Sequence, residues 1–158
     1  NDNGSNNSGG GSSSGGGSSS GGGSGNGRPG HRVPPSSPGA SGAVAAALSQ
    51  VGVPYIKFMS QPGVGFDCSG LTAWAWGQAG VSLTAYSYDQ ANEVRRISTD
   101  ELRPGDLLFY FNGAHHVSMY IGGGQIVEAA NPSRGVVVSD LWNGWNSSHF
   151  SFAGRPVG

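Results

Sequence analysis

An α+β fold, with N-terminal helices packed on an antiparallel sheet of about five to six strands, is predicted by two features of this 158-residue sequence. Apolar residues recur at helical spacing in the first half of the folded part, whereas after the turn pair Pro104-Gly105 short runs rich in β-formers alternate with Gly, Asn and Pro. A third feature bounds the fold. Residues 1–30 are Asn, Ser and Gly repeats without a single Val, Ile, Leu, Met, Phe, Tyr or Trp. Such a segment has nothing to bury and cannot offset its ordering entropy. Residues 1–38, which end in Pro29, Pro34, Pro35 and Pro38, are therefore expected to be a flexible Gly/Ser/Pro-rich linker. Residues 39–158 hold every Phe, Tyr and Trp and are expected to form one domain.

The elements follow in order. Ser41 is expected to cap a helix carrying Val44, Leu48 and Val51, stopped by Gly52 and Pro54. A second helix is expected over Cys68–Gln78, with Leu71, Trp74, Ala75 and Gln78 at helical spacing and Gly80 closing it. Ser87 followed by Gln90 reads as a capping box for a short third helix. Strands are expected at 107–111, 117–121, 125–129, 136–139 and 150–152.

Charge excludes more than it identifies. The formal net charge is −1 and no basic run is present, which argues against nucleic acid as a partner. No apolar run is long enough to span a membrane. The chain begins at Asn1 without an initiator Met, so it is expected to be a fragment tethered to a missing N-terminal region.

Chemistry centres on Cys68, the only cysteine. A single thiol closes no internal disulfide and supplies no zinc cluster, so it either packs as a small hydrophobe or reacts. Gly122-Gly123-Gly124 suits a three-residue hairpin loop between two of the expected strands. A loop centred on Gly123 sets Ser118 opposite Glu128, which makes His116 and Glu128 diagonal neighbours on one face. Val117, Met119 and Ile121 then point to the other face, together with His115. His116 is thus the candidate base and Glu128 its partner, unless a two-residue turn without a bulge slips the register by one and exchanges the faces. A thiol attacks as thiolate, a form favoured by a helix N-terminus and by an adjacent imidazolium. Taken singly, each of the three residues is equally well a packing or a solvated residue. Their joint placement points to nucleophilic catalysis.

At this point the chain resembles the NlpC-type bacterial cell-wall cysteine peptidases. The resemblance is carried by Val53-Pro54-Tyr55, by Gly65-Phe66-Asp67-Cys68-Ser69-Gly70-Leu71, by Leu102-Arg103-Pro104-Gly105-Asp106-Leu107-Leu108-Phe109, and by His116-Val117-Ser118-Met119-Tyr120-Ile121-Gly122. Gly124-Gln125-Ile126-Val127-Glu128-Ala129 matches as well. It implies a papain-like fold with Cys68 as nucleophile, His116 as base and Glu128 as the third polar residue. It further implies that Tyr55 faces the thiolate or the oxyanion, and that Asp67, Ser69 and Ser87 lie along the substrate, although Asp67 and Ser69 suit helix capping equally well.

The implied activity is cleavage of peptidoglycan stem peptides between D-glutamate and the diamino acid that follows. It needs no metal and no organic cofactor, and is expected of a secreted or cell-surface monomer. Two stretches depart from the pattern. Relatives commonly carry an aromatic and two glycines where this chain has Lys57, Phe58 and Met59, and Leu-Pro-Arg before the Ser of the third helix, where it has Leu83, Thr84, Ala85 and Tyr86. Both fall where the groove is expected. A catalytically silent wall-binding module, or an amidase or acyltransferase on the same scaffold, are the alternatives these departures leave.

Overall fold

A computed structural model describes residues 39–156. The expected linker, residues 1–38, lies outside the described residues. Helices α1 (Ala40–Leu48), α2 (Cys68–Gln78) and α3 (Ser87–Glu93) come first, with a two-stranded ribbon of β1 (Ser60–Gln61) and β2 (Gly65–Phe66) between α1 and α2. The main sheet comprises β3 (Arg95–Ile97), β4 (Leu107–Tyr110), β5 (His116–Gly122), β6 (Gln125–Ala129), β7 (Val136–Asp140) and β8 (Phe150–Arg155). A short helix α4 (Gly144–His149) precedes β8. The strand order is β3-β8-β4-β5-β6-β7, with antiparallel pairing throughout.

Both faces of the sheet are covered. Leu107, Phe109, Val117, Met119, Val127 and Ala129 pack with Leu71, Ala75 and Trp76 of α2, whereas Leu108, Tyr110 and Ile126 pack with Leu141 on the opposite face. Leu71 and Trp76 are fully buried and contribute roughly 1.5–3 kcal/mol each. That exceeds the ~1 kcal/mol of a helix cap, so packing holds α2 in place and the cap decides where it begins. The Trp76 indole also donates to the Gly105 carbonyl at 3.0 Å, pinning α2 to the turn that leads into β4.

Two expected caps are absent. Helix α1 starts at Ala40 with Gly39 at the cap position and φ of 83°, so Ser41 lies inside the helix. Its inward face is Ala40, Ala43 and Ala47; Leu48 is half-exposed, and Val51 lies in the turn beyond the helix. Small side chains let α1 approach α2 closely, and that packing overrides the larger apolar spacing read from the sequence. Helix α3 is capped by the backbone of Tyr86, with Ser87 already its first residue. Gln90 therefore does not reach back. Its buried amide donates to the carbonyls of Ser69 at 2.9 Å and Thr84 at 2.8 Å, and accepts from Thr72 at 2.7 Å. The capping box is instead formed by Ser98 and Glu101 in the 3-10 turn Thr99–Glu101.

Candidate active site

Helix α2 begins on Cys68 because Asp67 stops the chain from being helical any earlier. Asp67 is extended, and its Oδ1 accepts the Gly70 N–H at 2.7 Å. Its Oδ2 accepts the Phe58 N–H at 2.9 Å, so one carboxylate caps the helix and ties down the preceding turn. Cys68 is buried, and Ser69 behind it is buried in the first helical turn.

The hairpin places the rest. Met119 pairs with Val127 and Tyr120 with Ile126, the register of a loop centred on Gly123. The turn itself has two residues, Gly123 and Gly124, enclosed by the Gly122–Gln125 pair, and Ile121 is the extra residue of a bulge. Both turn residues have positive φ, 63° and 73°, as a type I′ hairpin requires. The bulge compensates for the shorter turn and keeps every side chain upstream of it on its expected face. Consequently Val117 and Met119 are buried against α2, and His116 meets Glu128 at 2.7 Å. His115 is exposed.

The His116–Glu128 pair is largely dry, with side-chain exposures of 12% and 6%. Burial pulls the His116 pKa down, but hydrogen bonds from the imidazole to Cys68 and Glu128, with their charges, outweigh it and carry the pKa up to about 9. His116 is thus paired with Glu128 at 2.7 Å and raised by the neighbouring Cys68, so the imidazolium is the favoured form near neutrality. Tyr55 is half-buried beside Cys68 and Asp67; burial and those two groups raise its pKa, so it stays a neutral hydroxyl able to donate. Ser87 is buried at the start of α3, and Gln90, three residues further on the same helix, holds the Ser69 carbonyl.

Two contacts on the imidazole were not read from the sequence. Tyr110, directly across from His116 in the β4–β5 pair, places its ring 5.4 Å from the imidazole and hydrogen-bonds Ser118 at 2.8 Å. Burial pushes the Tyr110 phenol well up, so it too remains neutral. Trp145 of α4 meets the His116 ring edge to face at 5.7 Å and 88°. Counting register from the hairpin would have found Tyr110. Trp145 sits on a helix whose start depends on Asn143 capping Asn146, and on Asn146 holding the Asp140 and Leu141 carbonyls.

A helix that starts on a cysteine and abuts an antiparallel sheet, with histidine and glutamate on adjacent strands, defines the papain-like class of α+β folds. The NlpC/P60 family pattern matches residues 52–155, which is most of the described chain. The chain belongs to the NlpC/P60 family. A probable endopeptidase of Mycobacterium tuberculosis is 44% identical over 87 residues, covering 55% of this chain and 22% of that protein. The peptidoglycan endopeptidase RipA of Mycolicibacterium smegmatis is 38% identical over 111 residues, covering 62% of this chain and again 22% of the relative. The chain therefore spans under a quarter of the length of these two relatives. Among solved structures, an NlpC/P60 family protein from Bacillus cereus superposes with a TM-score of 0.72 at 26% identity, covering 80% of this chain and 42% of the other.

Proposed function

We propose that this chain is a peptidoglycan hydrolase that cleaves stem peptides between D-glutamate and the following diamino acid, through a thioester on Cys68. The observation that supports the reading most is the largely dry His116–Glu128 pair at 2.7 Å, with Cys68 among the groups that raise the His116 pKa. The Cys68 thiolate attacks the scissile carbonyl, whose electron pair moves onto oxygen. The backbone N–H of Cys68 and the Tyr55 hydroxyl donate to that oxyanion, a contribution of roughly 3 kcal/mol per donor. As the tetrahedral intermediate collapses, the C–N bond breaks and the His116 imidazolium gives its proton to the departing amine. The now neutral imidazole takes a proton from water, the hydroxide adds to the thioester, and the thiolate leaves. Glu128 keeps the ring oriented and stabilises its cation throughout.

The place of action is the bacterial cell wall, reached as a secreted or surface protein with residues 1–38 as the tether of a monomeric domain. Purified peptidoglycan tests this. Wild type is expected to release new amino groups and Cys68→Ala is not; equal release by both sinks the reading. The masses of the soluble products separate it from an amidase, which would free the stem from the sugar, and from an acyltransferase, which would join acyl groups to a second amine.

A further inference from the structure

Phe58 combines three properties that rarely coincide. Its φ is 63°, in the left-handed region that an aromatic side chain seldom adopts. It is 86% exposed, so burial repays none of that strain. And its N–H is held at 2.9 Å by the carboxylate of Asp67, the residue immediately before the nucleophile.

The surrounding turn leaves it little freedom. Met59 donates to the Ile56 carbonyl at 3.2 Å and accepts the Asp67 N–H at 3.0 Å. Gly70 permits this close approach, because a Cβ there would collide with the Met59 carbonyl. The backbone of Phe58 is thus held beside Asp67, and its exposed ring has Lys57 Nζ 5.2 Å from its centroid. Strain kept at an exposed side chain beside a reactive centre is the signature of a residue retained for contact with a ligand.

The neighbours also assign a side. Phe58 is tied to Asp67, which with Cys68 adjoins Tyr55, whereas His116 is held by Glu128, Tyr110 and Trp145. His116 gives its proton to the leaving amine, so the leaving half of the peptide lies toward the second group. The acyl half, which stays on sulfur, lies toward the first. We infer that Phe58 is a specificity-determining residue that packs against an apolar side chain in the acyl half of the substrate, an inference resting on the hydrolase reading above.

Purified protein is assayed on D-glutamyl–diamino acid peptides that differ only in the residue preceding D-glutamate: Gly, Ala or Leu. For wild type, kcat/KM is expected to rise from Gly to Leu. Phe58→Gly, which suits the backbone without strain, is expected to keep or raise Tm while losing about tenfold in kcat/KM on the Leu peptide and less than twofold on the Gly peptide. Phe58→Asn, also tolerant of this φ, should reproduce that pattern, and Phe58→Tyr should restore selectivity. Unchanged selectivity in Phe58→Gly overturns the inference, and so does a parallel fall in Tm and in activity on all three peptides, which marks a structural role. Absence of Cys68-dependent cleavage by wild type refutes the hydrolase reading itself. That outcome is distinct from the one in which wild type and Phe58→Gly cleave equally well.

Discussion

Replacing Glu128 by Gln keeps the shape of the pair and removes its charge. In the wild type the His116 pKa stands at about 9 against an ordinary 6.5, a preference for the imidazolium worth about 3 kcal/mol at about 1.4 kcal/mol per pH unit. That preference is shared between Cys68 and Glu128, and the carboxylate lies 2.7 Å from the ring with little exposure to screen it. Losing the charge should lower the basic limb of kcat/KM by about one pH unit. At pH 9 the imidazolium then falls from about half to about a tenth of the population, a fivefold loss that nearly vanishes at pH 7. Stability should follow the same linkage. A pKa raised on folding stabilises fully below about pH 6.5 and is lost as pH rises through about 9, so wild-type Tm should fall across that window and Glu128→Gln should show a shallower fall. The assay is kcat/KM for a stem peptide from pH 6 to 10, with Tm measured in the same buffers. A uniformly scaled profile, with the basic limb of Glu128→Gln where wild type has it, would refute the assigned role of Glu128.

Other substitutions address separate parts of the account. Tyr55→Phe removes the proposed oxyanion hydroxyl and should lower kcat by about a hundredfold with KM and Tm nearly unchanged, as read by steady-state kinetics and thermal melts. Arg155→Met strands Asp106, which is fully buried and held by Arg155 Nε at 2.8 Å and Nη2 at 2.9 Å; about 3–5 kcal/mol of stability and more than about 10 °C of Tm should be lost. Gly70→Ala drives a methyl group into the Met59 carbonyl and should cost about 1–3 kcal/mol in denaturant melts, while freeing the turn that carries Phe58.

The sequence made the hairpin legible because strand parity is binary. Once the turn was centred on Gly123, His116 had to share a face with Glu128, and the bulge at Ile121 preserved that outcome with a two-residue turn. Cys68 at the head of α2 was legible for a local reason too, since Asp67 three residues before Gly70 is a cap whose partners are neighbours in the chain. The failures arise where tertiary packing decides. Ser41 and Ser87 have the chemistry of caps, yet close packing of alanines draws α1 two residues earlier, and Gln90 is worth more as a buried bridge to Ser69 and Thr72 than as the return arm of a capping box. Strand β3 is only three residues long and pairs with β8 at the far end of the chain, so no local pattern marks it. Trp145 reaches His116 from a six-residue helix with no periodicity to read. Phe58 stood out as a departure from its relatives, but its strain and its bond to Asp67 are properties of the folded turn.

The central claim is that Cys68 carries the acyl group during cleavage of one bond in the stem peptide. Mass spectrometry of the products from a defined stem peptide tests it most directly, with wild type and Cys68→Ala compared at equal, folded concentrations. The account predicts that wild type yields one fragment ending in D-glutamate and one beginning with the diamino acid, and that Cys68→Ala yields neither. The same two fragments from Cys68→Ala, or cleavage by wild type at a different bond, would contradict it.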